Sequence, residues 1–508
     1  MPAITLVKTE NGMVKGYPSA DQMNAVFKGI PYAAAPIGSL RWKAPQPAPD
    51  WEGVYDAVRF AHPCCQTMVH KNDPVEDFFC IRMDQSEDCL YLNVYTPAQD
   101  AEERLPVAVY FHGGGMQNGY SYMNAYDGDG FAKRGIVYVS VGYRLNLFGF
   151  FADPELQEED EHGSTGCYGT LDQAFALQWI KRNIAGFGGD PNTVSIFGQS
   201  GGGRSVQTLA ASRIGKGLFQ RAIMQSGGGL STGSQRSAVS LEEGFEVCGM
   251  LKKLFGAKNI AELREISGEK LIQIYGAYLK ENVTDQPHFT LRYMGPKIDG
   301  YVLEDERSRL FRSGRYNDAQ YMVGATDSEF LNSLMEVPTM EEIERTAVQD
   351  YGKYAESFLR LIQESDTDEL ERYFRNQEGE TLKANAVGWC ELQLQLKRRP
   401  SYAYLFELVP PGSDAARHSS EHHYVFQTLM RTRRPYTGQD FDLSNELADR
   451  WANFFKYGNP NNEKYSNLWT PYTKEHPEVF RIGYQSCMGR MPESKFMTFI
   501  KDYSLGRV

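Results

Sequence analysis

The chain reads as an α/β protein built on a largely parallel sheet, and three observations predict this. Short apolar runs at Val107 to Phe111, Ile136 to Val141, Thr193 to Phe197 and Ala222 to Met224 read as buried strands. Helical stretches stand between them. In one, Leu171, Phe175 and Trp179 recur every four residues and give the helix an apolar face. Thr193 to Phe197 then runs straight into Gly198-Gln199-Ser200-Gly201-Gly202, and the segment behind it, Ser205 to Ala211, contains neither Pro nor Gly. Strand, glycine turn and helix in that order are the setting of the G-x-S-x-G elbow.

The second half continues the pattern. Glu341 to Leu394 is charged, poor in β-branched runs and reads as helices packed over or beside the sheet. Strand signals return at Tyr321 to Val323 and at Ala403 to Val409. A late helix is expected with Ser444 as its cap, Leu447, Trp451, Phe454 and Phe455 on one face, and Gly458 and Pro460 as its stop. No repeat or long linker divides the chain, so residues 1–508 are expected to form a single domain.

Composition narrows the function classes. The 508 residues are 41% hydrophobic and 13% aromatic, with a formal net charge of −12. Nucleic acids and anionic membranes recruit basic surfaces, so neither is expected as a partner. No run of 18 apolar residues predicts a spanning helix. The first residues lack a basic start followed by an apolar core, and a cytoplasmic location is the expectation. Eight cysteines (Cys64, Cys65, Cys80, Cys89, Cys167, Cys248, Cys390 and Cys487) are few for this length, and none forms a C-x-x-C pair. Neither a disulfide framework nor a metal site is predicted, and no cofactor is required.

The glycine-flanked Ser200 has a physical logic. A strand that turns at once into a helix forces its central residue into a strained conformation, and only neighbours without bulk fit around it. A hydroxyl held out in this way becomes a nucleophile when three further parts are present: a general base, an acid that orients the base, and donors for an oxyanion. His112-Gly113-Gly114-Gly115, following the strand that ends at Phe111, matches an oxyanion loop in which consecutive glycines let N–H groups converge. The residues alone leave His418, His422 and His423 as equal candidates for the base.

The chain resembles the type-B carboxylesterases, the cholinesterase-like group of the α/β-hydrolases. Phe187 through Gly202 is similar to the long serine signature of that family, and Glu87-Asp88-Cys89-Leu90-Tyr91-Leu92-Asn93-Val94 to its second signature. Shorter similar stretches occur at Gly29 to Ala33, at Gln225-Ser226-Gly227 and at Trp451 to Phe454. The resemblance implies a large, mostly parallel central sheet with helices on both faces and helical insertions over an active-site gorge. It implies a serine carboxylesterase acting on small-molecule esters through an acyl-enzyme. Ser200 is then the nucleophile and Glu329, five residues after Gly324, the acid, with Asp327 as the fallback. His418, three residues before Glu421, is the base. The oxyanion donors are the N–H groups of Gly114, Gly115 and Gly201.

Departures from the family carry information too. Phe330 stands where a glycine usually follows the acid. Gln199 replaces the glutamate that precedes the serine in choline-specific relatives. No Trp lies between Cys65 and Cys89 to hold a quaternary ammonium by its π face; Phe78 and Phe79 stand there instead. Gln199 and the missing Trp point away from choline esters, and the expected substrates are uncharged esters with short or aromatic acyl groups. Lipases and feruloyl esterases would use the same residues. A non-catalytic adhesion protein of this fold would lack the nucleophile, which is present here. Cys65 and Cys89 resemble a disulfide pair of secreted relatives, and are expected as reduced thiols.

Overall fold

The computed structural model describes residues 3–67, 84–230, 238–283 and 286–508. Among them, eleven strands form one sheet. Their order across it is Cys487–Gly489, Val479–Ile482, Tyr402–Phe406, Gln320–Thr326, Arg221–Gln225, Gly189–Gln199, Leu105–Phe111, Val137–Val141, Tyr91–Thr96, Ala25–Pro31 and Tyr17–Pro18. From Val479–Ile482 across to Val137–Val141 every neighbouring pair is parallel. The pairs beyond, at both edges, are antiparallel. The sequence predicts the parallel centre, because each apolar run there is followed by a crossover long enough to hold a helix.

Side-chain alternation along these strands builds two cores. Val107, Val109 and Phe111 pack into one apolar cluster, while Ala108 and Tyr110 pack into another on the opposite face. This is the period-two geometry of a pleated strand covered on both sides. Helices Tyr168–Asn183, Gly201–Ala211 and Gln377–Gln395 contribute to the first cluster, and Gly438–Tyr457 to the second. A small sheet of Leu6–Thr9, Gly12–Lys15 and Val54–Asp56 stands apart from the large one.

The helical reading of Glu341 to Leu394 corresponds to Met340–Tyr351, Ala355–Gln363, Thr367–Arg375 and Gln377–Gln395. Thr339 with Glu342, and Asp366 with Glu369, form reciprocal capping boxes that start two of them. The late helix differs from expectation at its start. It begins at Gly438, where Thr437 and Asp440 form the box, and Ser444 lies inside it with its hydroxyl donating to the Tyr424 carbonyl at 2.8 Å. A serine in mid-helix can bond a neighbouring chain as well as cap, and here a packed segment offered the better acceptor. Gly458 ends the helix in the left-handed conformation, at φ 70°. Among the described residues no helix is long and apolar enough to cross a membrane.

Candidate active site

The central strands finish together at one edge of the sheet. Phe111 pairs with Gly198, Gln199 with Gln225, Gln225 with Gly324, and Thr326 with Phe406. Four segments far apart in sequence therefore leave the sheet side by side: the His112 loop, the Ser200 turn, the Ser226 turn and the loop after Thr326. Sites in open α/β sheets form beyond the carboxyl ends of such strands.

Ser200 sits between the strand Gly189–Gln199 and the helix Gly201–Ala211 at φ 57°, ψ −122°. A side chain at positive φ is strained, and surrounding contacts must hold it there. The Ser200 N–H donates to the Gln225 carbonyl at 2.8 Å, and its own carbonyl accepts from Arg204 N–H at 3.0 Å. The glycines around it are required by close approach rather than by flexibility. A Cβ on Gly202 would lie 1.9 Å from the Phe111 carbonyl oxygen, and one on Gly227 2.0 Å from that of Ser200. A Cβ on Gly201 would meet Gly115 N at 2.7 Å and Met116 N at 2.8 Å. The glycine loop after His112 is thus pressed against the start of the helix that follows Ser200, and Gly114 and Gly115 both adopt positive φ there.

The acid–base side comes from two other loops. Glu329 is buried, and its carboxylate meets Nδ1 of His418. Its other oxygen accepts the Thr326 N–H at 2.8 Å, and its backbone carbonyl accepts the His418 N–H at 2.7 Å. Asp327 is turned away: its carboxylate lies 3.7 Å from Lys383 and is partly exposed. With Nδ1–H donating to the Glu329 carboxylate, Nε2 of His418 carries the lone pair. That nitrogen lies 3.1 Å from the side-chain amide nitrogen of Gln199, the residue next to Ser200. The same amide nitrogen is 3.5 Å from Nδ1, so it lies over the ring, and the imidazole sits beside the serine turn.

The rival histidines are placed elsewhere. His422 is buried with Nε2 against the Tyr110 hydroxyl at 3.0 Å, and burial pushes it down to about 3. Nδ1 of His423 meets the Thr428 hydroxyl at 2.8 Å, and burial pushes this ring down to about 4. His112 lies stacked on Tyr143, and burial lowers it to about 4 as well. All three are neutral packing groups at neutral pH.

Sequence reasoning uses Glu421 only to frame His418, and gives it no role. In the structure it is a fully buried carboxyl behind the acid–base pair. Burial first, and the charge of Glu329 second, push it up to about 8. Gln225 donates to it at 3.3 Å. At neutral pH it is mostly the neutral acid, so it places no second full negative charge beside Glu329. Its place beside the apolar run Tyr424-Val425-Phe426 is a signal of burial, but its proximity to Glu329 depends on long-range folding.

Cys89 meets Cys64 rather than Cys65. Both of these thiols are free and buried, as is Cys65. Adjacent cysteines point to opposite sides of an extended chain, so a spacing read from sequence could not choose between them. Phe78 and Phe79 lie outside the described residues. Among the described residues, no group of three or more His, Cys, Asp and Glu side chains is placed to hold a metal ion.

A nucleophile elbow, a glycine loop pressed against it and a histidine–glutamate pair beside it agree with the comparisons to known proteins. The model of the Carboxylesterase family matches residues 3–500. The chain belongs to the carboxylesterase family. It is a carboxylic ester hydrolase with the α/β-hydrolase fold. Carboxylesterase 1E of Mus musculus is 33% identical over 97% of this chain and 92% of its own. Para-nitrobenzyl esterase of Bacillus subtilis is 30% identical over 96% and 97%. Fumonisin B1 esterase of Sphingopyxis macrogoltabida is also 30% identical, over 95% and 87%. A solved PNB esterase superposes with a TM-score of 0.82 at 28% identity, covering 98% of this carboxylesterase and 99% of that chain.

Proposed function

We propose that residues 1–508 act as one catalytic domain in which Ser200, His418 and Glu329 hydrolyse uncharged carboxylic esters with short or aromatic acyl groups. The observation that carries the reading is the His418–Glu329 pair, whose imidazole lies against Gln199 at the Ser200 turn. Nε2 of His418 takes the Ser200 proton as Oγ attacks the ester carbonyl. Glu329 fixes the ring in the required tautomer and stabilises the imidazolium that forms. The oxyanion is received by the N–H groups of Gly114, Gly115 and Gly201, whose loop and helix start lie in contact. Imidazolium then returns the proton to the departing alcohol. Water attacks the acyl-enzyme with His418 again as base, releasing the acid and Ser200.

Gln199 supports the choice of uncharged substrates. A carboxylate at this position would present a negative charge to a cationic alcohol group, whereas an amide presents none. The free thiols of Cys64, Cys65 and Cys89 suit a reducing, cytoplasmic setting.

A panel of p-nitrophenyl esters and choline esters tests the substrate class, together with mass mapping of a fluorophosphonate adduct. Label on Ser200, turnover of neutral esters and a loss of about 10⁵-fold or more in kcat on Ser200→Ala are expected. Preference for choline esters, or label elsewhere, would contradict the reading.

A further inference from the structure

The dipeptide Glu329-Phe330 grips His418 from three directions. The Glu329 carbonyl takes the His418 backbone N–H at 2.7 Å, and its carboxylate takes the ring Nδ1–H. The phenyl ring of Phe330 lies over the imidazole with centroids 4.0 Å apart and planes inclined by 31°. Only 15% of the His418 side chain remains exposed, while Phe330 itself is 51% exposed. A large apolar ring left half in water, on the face of a catalytic base, is not there to fill a core.

We propose that Phe330 is a positioning residue for the esterase reaction: its ring fixes the plane of the His418 imidazole and stabilises the imidazolium by its π face. The inference rests on His418 being the base. The carboxylate of Glu329 restrains the imidazole along one edge but leaves it able to swing about that contact. Packing against one face removes the swing and holds Nε2 in one orientation beside the serine turn. When the Ser200 proton arrives, the ring becomes a cation lying against an aromatic face, an attraction equivalent to about threefold to thirtyfold in rate. A glycine after the acid could supply neither effect.

The other groups facing His418 are few. Glu329 lies on its edge, the Gln199 amide over the ring at 3.1 Å from Nε2 and 3.5 Å from Nδ1, and the buried Glu421 and His422 follow three and four residues on. Arg417 beside it pairs with Asp414 and donates to the Leu331 carbonyl. None of these is altered by changing Phe330.

The test uses Phe330→Leu, Phe330→Gly and Phe330→Trp in the full chain, with kcat, KM and pH profiles on a neutral p-nitrophenyl ester. Leucine retains apolar cover but removes the π face, so it separates the two effects. Phe330→Leu is expected to lower kcat about threefold to thirtyfold with KM within about twofold, and to move the acid limb of the kcat/KM profile to lower pH. Phe330→Gly should lose at least as much, and Phe330→Trp should stay within about twofold of the parent. An unchanged kcat and acid limb in Phe330→Leu would overturn the proposal. So would a loss confined to KM, which would make the ring a substrate contact, or failure of Phe330→Trp to rescue. Fluorophosphonate labelling of the parent protein separates this from the wider reading. Absent label on Ser200 removes the triad itself, whereas normal labelling with unaffected variants removes only the role of Phe330. Melting temperatures of the variants should match the parent, since the ring is half in solvent.

Discussion

On the nucleophile side, one unbroken run from Phe187 to Gly202 supplies strand, turn and helix start. On the acid–base side, two loops separated by 89 residues must meet, one following Gln320–Thr326 and the other Tyr402–Phe406. The first arrangement is held by glycines through backbone approach, and any Cβ in the wrong place collides. The second is held largely by one dipeptide, through the buried carboxylate and backbone carbonyl of Glu329 and the ring of Phe330. Local geometry of the first kind is written in consecutive residues, whereas the second exists only after the sheet has formed. The two sides should therefore fail differently when disturbed.

The largest effect is expected where the acid–base side depends on one group. Glu329→Gln keeps the shape but can no longer hold the His418 tautomer by accepting its Nδ1–H with a full negative charge. A loss in kcat of about 10⁴-fold is expected, by analogy with removal of the orienting acid in serine proteases. Asp327→Asn should remain within about twofold, because its carboxylate faces Lys383 and solvent. Steady-state kinetics on a neutral ester compares the pair. Equal losses in the two variants would mean that Asp327, not Glu329 alone, serves the base.

The nucleophile side should break through sterics. The N–H of residue 201 survives a change to alanine, but the added Cβ would stand 2.7 Å from Gly115 N and 2.8 Å from Met116 N. The glycine loop must retreat, and the N–H groups proposed as oxyanion donors retreat with it. A drop of about tenfold to a hundredfold in kcat with little change in KM is expected, approaching the effect of losing one donor. A second change that loosens the loop should therefore recover part of the loss. Full activity in Gly201→Ala would show that the loop moves freely.

The same contrast explains what can be read from the chain before folding. The parallel strands are legible because apolar β-branched runs alternate with helical ones, and Ser200 because its motif lies between a strand and a helix. The glycine loop after His112 is legible for the same local reason. The choice of His418 over His422 and His423 needs a family frame, since three histidines within six residues share one composition. Only the structure shows that two of them point into packed surroundings. Ser444 looks like the cap of the late helix because serine favours caps, whereas Thr437 and Asp440 declare themselves as a reciprocal pair only once both side chains are placed. Glu421 carries no signal of a role because a buried carboxyl looks like any other glutamate until its neighbours arrive.

Glu421 offers the finest test of the acid–base side, because its effect should appear in stability more than in rate. Its carboxyl is raised from near 4.5 to about 8 in the folded protein, by burial and then by Glu329. The unfolded chain releases this proton near pH 4.5, whereas the folded one keeps it until about pH 8. The stability associated with the protonated group is therefore full below about pH 4.5 and is lost as pH rises through about 8. Glu421→Gln preserves the shape and the neutral state at every pH. Relative to the parent, this variant should gain stability between about pH 5 and about pH 8, by at most about 1.4 kcal/mol for each pH step of one and by a few kcal/mol in all. Denaturant unfolding at the two pH values measures the difference, and kcat should change by less than about tenfold. If Glu329→Gln is added, the charge that helps hold the Glu421 proton disappears, and the pH-dependent gain from Glu421→Gln should shrink. A gain that is the same at both pH values would mean that Glu421 is already ionised behind the catalytic pair, and that Glu329 shares its pocket with a second negative charge.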